Sequence, residues 1–247
     1  MTVLAALLLQ AAAAPAPPPQ EWPPERVLFL VDGVPVRAGE LAVLVAYFRT
    51  FRDAPDGALW RDAFAAWLPR VVMRARFAHR LPELHARVAA AAAELAAGAD
   101  FAAVVARHSD DTEAPTPDGR YRFPRLRAVQ PFDRFAFTEP VGRLSPPFLT
   151  KYGVHLLQVT ARFPDDSPAE DEVKVRHVLA MYPELVALER AGEDVRAWIA
   201  ARVDEAHVVV LERGALALVP PERRAQVVRA DAAATGRDDA PPSASDD

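Results

Sequence analysis

Apolar residues recur along this chain in rhythms that change with the element they predict. Arg26–Arg37 (RVLFLVDGVPVR) is a short apolar run, an Asp32-Gly33 pair and a second short run, which predicts two strands joined by a tight turn. Leu41, Leu44, Val45 and Phe48 then share one helical stripe, which Asp53–Gly57 ends. Trp60, Phe64, Trp67, Leu68 and Val71 repeat at three- and four-residue spacing, a second helix with Pro69 as its point of bending. Pro82 opens a third helix through Ala97, with Gly98 as its stop, and Asp100 caps a short fourth, Phe101–His108.

Beyond Ser109 the helical rhythm is lost. Ser109–Pro147 predicts loops with one helical patch near Phe132–Phe137, and seven prolines fall between residues 115 and 147. Alternation returns in Val154–Val159 (VHLLQV) and Val173–Leu179 (VKVRHVL), two strands separated by the polar stretch Arg162–Glu172. A long helix follows, with Val195, Trp198, Ile199 and Val203 on one face, and leads into a strand at His207–Leu211. That bare apolar face must find a partner, and the N-terminal helices are the expected one.

A period of two places Val173, Val175, His177 and Leu179 on one face of their strand, with Lys174 and Arg176 on the other. His155, Leu157 and Val159 share a face of the preceding strand. An antiparallel hairpin closed by residues 160–172 would set Val159 opposite Val173 and His155 opposite His177, making the two imidazoles direct cross-strand neighbours.

Composition narrows the chemistry. The 247 residues are 51% apolar and 26% charged, ample for a core. A net charge of −5 with no basic block lacks the footprint of nucleic-acid binding. With no cysteine, disulfides, thiolate catalysis and sulfur-ligated zinc are excluded. Nucleophile elbow, phosphate-binding glycine loop and HExxH helix are all missing from the sequence. A metal held by His155 and His177 would lack a further ligand at sensible spacing, so neither metal nor cofactor is expected.

Met1–Ala14 (MTVLAALLLQAAAA) is apolar, too short to span a bilayer, and followed by small residues around Ala12–Ala14. It fits a signal-peptide core, although no Lys or Arg precedes it. Export to a periplasmic or other extracytoplasmic space is therefore expected, with no membrane-spanning segment once the leader is removed. The small, polar, acidic Asp231–Asp247 is expected to be disordered.

One string carries specific information. It begins ELAAGADFAAVVARHSDD at Glu94 and ends PFDRFAFTEPVGRLSPPFLTKYGVHLLQV at Val159. Leu95-x-x-Gly98-x-x-Phe101, Ser109-x-Asp111, Pro131-Phe132, Phe137, Gly142-x-x-Ser145-x-Pro147 and Tyr152-Gly-x-His155 together resemble the parvulin-type (PpiC) peptidyl-prolyl cis/trans isomerase, or rotamase, domain. VDGVPVRAGEL resembles the opening segment of exported rotamase-chaperones, whose helical flanks enclose that module. The resemblance implies an α+β fold: a small antiparallel sheet with surrounding helices, plus a mainly helical domain built from the N- and C-terminal segments. The expected divisions are a leader and Pro-rich linker (1–25), an N-terminal helical region (26–97), the rotamase module (98–181), a C-terminal helix and strands (182–230) and the tail (231–247).

What the resemblance implies for function is isomerisation of X-Pro bonds in unfolded or exported, proline-containing polypeptides. The alternative is a non-catalytic holding chaperone on the same scaffold, with Trp60, Phe64 and Trp67 lining a cleft; as ordinary core those rings would line nothing. By the same resemblance His155 and His177 form a buried imidazole pair and Asp111 takes the position of a family Cys or Asp. Ser145 and Thr150 join the network orienting His155. Phe132 floors the proline pocket, in the motif that also holds Phe137. The family's first histidine normally lies on an opening strand. His79 stands at the expected distance in a helical context, whereas His177 matches the strand motif but follows the module, as a circular permutation or a second, decayed copy would place it. The sequence departs from the family at two pocket positions, with Arg120 for an apolar leucine and Ala128 for a methionine. Tyr121 or Val129 would then have to rebuild the wall.

Overall fold

Two four-stranded sheets organise the chain, one built from both ends of the sequence and one from its middle. The computed structural model describes residues 22–112, 114 and 116–229, so the expectations for the leader and the acidic tail lie outside the described residues.

The first sheet has the order β2-β1-β7-β8. β1 (Val27–Val31) turns at Asp32-Gly33 into β2 (Val34–Arg37), as the sequence predicts. β7 (Val208–Val210) pairs antiparallel with β1, and the two-residue β8 (Val228–Arg229) lies parallel to β7. Above it run α1 (Ala38–Arg49) and α2 (Asp56–Arg76), the latter continuous through Pro69. Trp60, Phe64 and Trp67 on α2 are buried: Phe64 packs on Phe29 at 4.4 Å and Trp60 meets Trp22 edge-on at 5.6 Å. The aromatic stripe is therefore core and lines no open cleft.

The C-terminal segment supplies the partner that the N-terminal helices were expected to need. The single long helix expected there is two, α6 (Pro183–Arg190) and α7 (Val195–Asp204). Gly192 ends the first, and the Asp194 carboxylate restarts the second by accepting from the backbone N–H groups of Arg196 and Ala197. α7 packs on α2, with Trp198 stacked on Phe77 at 6.3 Å. This body also carries the β2-β1-β7-β8 sheet, whose β1, β2 and β7 fall where strands were expected.

The second sheet has the order β3-β6-β5-β4 and is antiparallel throughout: β3 (Arg120–Pro124), β4 (Phe148–Leu149), β5 (Gly153–Phe163) and β6 (Glu172–Met181). β3 lies in the stretch read as loop plus one helical patch. The patch is α5 (Phe132–Thr138), which packs on β5 and β6. α3 (Leu81–Ala96) also packs on β5 and β6, and α4 (Phe101–His108) packs on α3 and β6, so α3 sits with the middle module's sheet.

The β5–β6 hairpin forms, but its register differs from the expected one. Leu157 faces His177, His155 faces Leu179 and Val159 faces Val175. The strands run on to Phe163 and back from Glu172, and the ladder is broken by a bulge between Val159 and Ala161. The net slip is two residues, an even number, so both histidines keep the same face and become diagonal neighbours.

Candidate active site

β5 and β6 bring His155 and His177 together under the sheet surface, each less than 5% exposed. Their Nδ1 atoms are 3.4 Å apart, and the rings lie within 15° of parallel with centroids 5.6 Å apart. Each outer nitrogen has its own partner. His177 Nε2 lies 2.7 Å from Asp111 Oδ2, and His155 Nε2 lies 2.8 Å from Thr150 Oγ1.

With both imidazoles neutral, one set of protons satisfies every contact. A carboxylate only accepts, so His177 carries its hydrogen on Nε2 and accepts at Nδ1. His155 then donates from Nδ1, which leaves its Nε2 as an acceptor. The Thr150 oxygen already accepts from the Tyr152 backbone N–H at 3.1 Å, and its hydroxyl hydrogen is available for His155. The result is a directed chain, Thr150 to His155 to His177 to Asp111. Burial holds the His155 pKa well below the ordinary imidazole range; His177 adds to the shift and Asp111 opposes it. His155 is neutral at physiological pH.

Asp111 is held in place by main chain. Ser109, Asp110 and Asp111 follow the end of α4 and run beside β6, where Asp110 N–H donates to the Leu179 carbonyl at 2.8 Å and Leu179 N–H donates to Ser109 Oγ at 3.1 Å. Asp110 also accepts from the Met181 N–H and pairs with Arg87 of α3. On the other side Tyr121 donates its hydroxyl to Asp111 Oδ2 at 2.9 Å. The Tyr121 ring stands against His177, with centroids 5.4 Å apart.

Aromatic rings enclose the pair. Phe132, at the start of α5, lies edge-on to both imidazoles with centroids 5.3 Å from His155 and 5.1 Å from His177. Phe148 on β4 is stacked on His155 at 5.5 Å, and Phe123 backs Phe132 at 6.1 Å. Gly119 allows β3 to close against β6: its φ is +67°, and a Cβ there would lie 2.5 Å from the His177 carbonyl oxygen.

The structure thus brings Asp111, Phe132, Thr150, His155 and His177 together. Ser145 is hydrogen-bonded to neither imidazole. Its hydroxyl accepts from the Leu157 N–H at 3.1 Å and its own N–H donates to the Leu157 carbonyl at 2.8 Å, so it pins the segment before β4 to β5. Phe137 packs on Phe123 and under the Arg125 guanidinium, whose centre is 4.3 Å above its ring. Arg120 points outward and pairs with Asp118, because β3 turns Tyr121 and Phe123 inward and Arg120 and Arg122 to solvent. Tyr121 stands where Arg120 was expected to intrude. His79 is exposed on a 3-10 turn near Glu184, remote from the pair. Ala128 and Val129 line a cavity of about 250 Å³ that α2 closes from the other side with Ala66 and Pro69.

Three contributors escaped the sequence: Tyr121 beyond its mention as a possible wall, Phe148, and the Ser109-Asp110 tether. The alternation in RYRFP was the available sign for Tyr121; Phe148 follows two prolines and has no periodic neighbour. Among the described residues, no group of three His, Cys, Asp or Glu side chains is placed to hold a metal ion.

Comparison with known proteins gives a consistent answer. Residues 77–161 match the rotamase family described as the PPIC-type PPIASE domain. The chain is 31% identical over 120 residues to the "Chaperone SurA" of Pseudomonas fluorescens, covering 48% of this chain and 27% of that protein. It is 34% identical over 86 residues to the "Foldase protein PrsA" of Exiguobacterium sibiricum, covering 34% and 28%. The "Chaperone SurA" of Hahella chejuensis is 28% identical over 113 residues, covering 45% and 25%. The aligned part thus spans about a quarter of each of these relatives. No solved structure gives a significant match. β6, which carries His177, lies outside the matched residues yet sits between β3 and β5 of the same sheet. Residues 77–161 thus carry a rotamase domain of the PPIC (parvulin) type.

Proposed function

We propose that this protein catalyses cis/trans isomerisation of X-Pro bonds in unfolded or exported polypeptides. The observation that carries the proposal is Phe132, seated edge-on against two buried imidazoles that hydrogen bonds tie to Asp111 and Thr150. Trans is favoured over cis by only about 0.5–1 kcal/mol, but the barrier is about 18–20 kcal/mol because amide resonance must be broken. No nucleophile or metal is needed. The twisted amide has less charge separation than the planar one, so an apolar, water-poor wall favours it. Phe132, Ala128 and Val129 supply that wall for the proline ring. The imidazole pair is the polar layer beneath it, positioning Phe132.

In the same proposal β6 takes the part of the strand that normally opens the family's domain, joined here at the module's end as a circular permutation would do. Its place between β3 and β5, with His177 beside His155, supports this. The leader-like Met1–Ala14 supports export, and among the described residues no helix is long and apolar enough to cross a membrane.

A protease-coupled assay on an X-Pro tetrapeptide tests the activity. The wild type should accelerate exchange, and Phe132→Ala should lower kcat/KM by roughly tenfold or more, as loss of a packed aromatic wall would. A wild type that gives no acceleration while suppressing aggregation of an unfolded client would replace the isomerase by a holding chaperone on this scaffold.

A further inference from the structure

The cavity beside the site is not purely apolar. Phe48, Ala66 and Pro69 form one wall and Leu126, Ala128 and Val129 the other, but three polar side chains also line it: Arg70 of α2, Gln130 just before α5, and Lys151 just after Thr150. Gln130 is 6% exposed, and neither its amide oxygen nor its amide nitrogen has a hydrogen-bond partner. Arg70 donates from Nε to the Leu149 carbonyl at 3.0 Å, and its guanidinium lies over the Trp67 ring. Its buried Nη1 makes no hydrogen bond, the Glu40 carboxylate standing off at 3.7 Å. Burial lowers the Lys151 pKa, and the Arg196 charge lowers it further.

Buried donors left unmatched cost about 1–3 kcal/mol each, so such a set persists where something else satisfies it. The Gln130 amide nitrogen and Arg70 Nη1 ask for acceptors, the Gln130 amide oxygen asks for a donor such as a main-chain N–H, and two of the three side chains are cationic. A volume of about 250 Å³ falls below that of pockets for drug-sized ligands and fits one side chain with a short stretch of main chain. We propose that this cavity takes the carboxylate of an Asp or Glu side chain of a client polypeptide, close in sequence to the proline presented to Phe132. The inference rests on the isomerase reading for the neighbouring proline. It deepens that reading by naming a substrate class, acidic proline-containing segments. Arg70 comes from the N-terminal body, so the preference is built between the two bodies.

The test is equilibrium binding, which is independent of turnover. Fluorescein-labelled peptides of one sequence, carrying Glu or Gln beside the proline and amidated at the C-terminus, are titrated with the full chain. The Glu peptide should bind roughly tenfold more tightly at low salt, the advantage shrinking as salt rises. Lys151→Met should reduce the advantage severalfold, and Arg70→Met, checked for folding by circular dichroism, should reduce it further. Equal binding of the two peptides by the wild type, or an advantage unchanged in a folded Lys151→Met, overturns the proposal. A preference that instead follows a free C-terminal carboxylate, with Glu and Gln peptides equivalent, also overturns it. Glu-selective binding in a protein that shows no isomerisation would sustain this inference while sinking the isomerase reading.

Discussion

Asp111 accepts hydrogen bonds from both His177 and Tyr121, and so its charge decides which nitrogen of His177 keeps a proton. Asp111→Asn keeps the shape but offers an amide that can donate. The substitution should release the His177 tautomer, read as a change in the imidazole nitrogen shifts at neutral pH, with isomerase activity falling severalfold. An unchanged His177 nitrogen spectrum in a folded variant would show that Asp111 is not what sets it. Gly119 is a second single-atom constraint. Alanine there meets both a left-handed backbone and the His177 carbonyl, and Gly119→Ala should cost about 2 kcal/mol or more, measured as a lower denaturation midpoint at unchanged m-value. The residues legible in advance were those whose partner followed from a period of two or a motif: His155, His177, Asp111, Phe132 and Thr150. Ser145 was read as part of the network orienting His155, and its hydroxyl accepts from the Leu157 main chain on the strand that carries that histidine. Arg120 was misplaced by counting back along a strand not recognised as one, so the inward and outward sides were exchanged.

Strand order is decided by contacts that span dozens of residues, and there the sequence said less. The β5–β6 hairpin was legible because each strand alternates and only a polar stretch separates them. Its register was not, because a bulge after Val159 and the true turn at residues 164–171 leave no periodic sign. β3 was hidden by its polar outward face and by the prolines around it. The break between α6 and α7 was legible in principle, since Gly192 and Asp194 are a stop and a cap two residues apart, but the apolar face of Val195–Val203 outweighed them. The position of β6 carries a consequence of its own. As a central strand it is bonded on both sides, whereas β4 is a two-residue edge. Amide hydrogen exchange should therefore find Val175, His177 and Leu179 among the slowest amides of the chain and Phe148 and Leu149 far faster. A β6 exchanging like the connecting loops would mean that it is not integral to the module.

The two bodies of the molecule meet at a buried acid. Tyr47 of α1, in the N-terminal body, donates its hydroxyl at 2.6 Å to Asp133 of α5, in the rotamase module. Arg125 lies between them, its guanidinium near the rings of Tyr47, Phe51 and Phe137. Asp133 is fully buried, and desolvation raises its pKa from 3.8 to about 6, while Tyr47, the backbone of Leu126 and Ala128, and the Arg125 charge pull the other way. In the unfolded chain the same carboxyl titrates near its ordinary value. Between about pH 4 and 6 the folded protein therefore binds more protons than the unfolded one, and stability falls as pH rises through that window. A shift from 3.8 to about 6 corresponds to on the order of 3 kcal/mol, spent to keep an ionised carboxylate between the bodies at neutral pH. Asp133→Asn keeps an acceptor for the Tyr47 hydroxyl without the charge. The contribution of this site to the pH slope should vanish in the variant, and urea titrations of both proteins at pH 4, 5, 6 and 7 would show the variant gaining on the wild type as pH rises. A difference between the two that stays constant from pH 4 to 7 would mean that Asp133 titrates in the folded protein as it does in the unfolded chain, and that the contact between the bodies is indifferent to its charge.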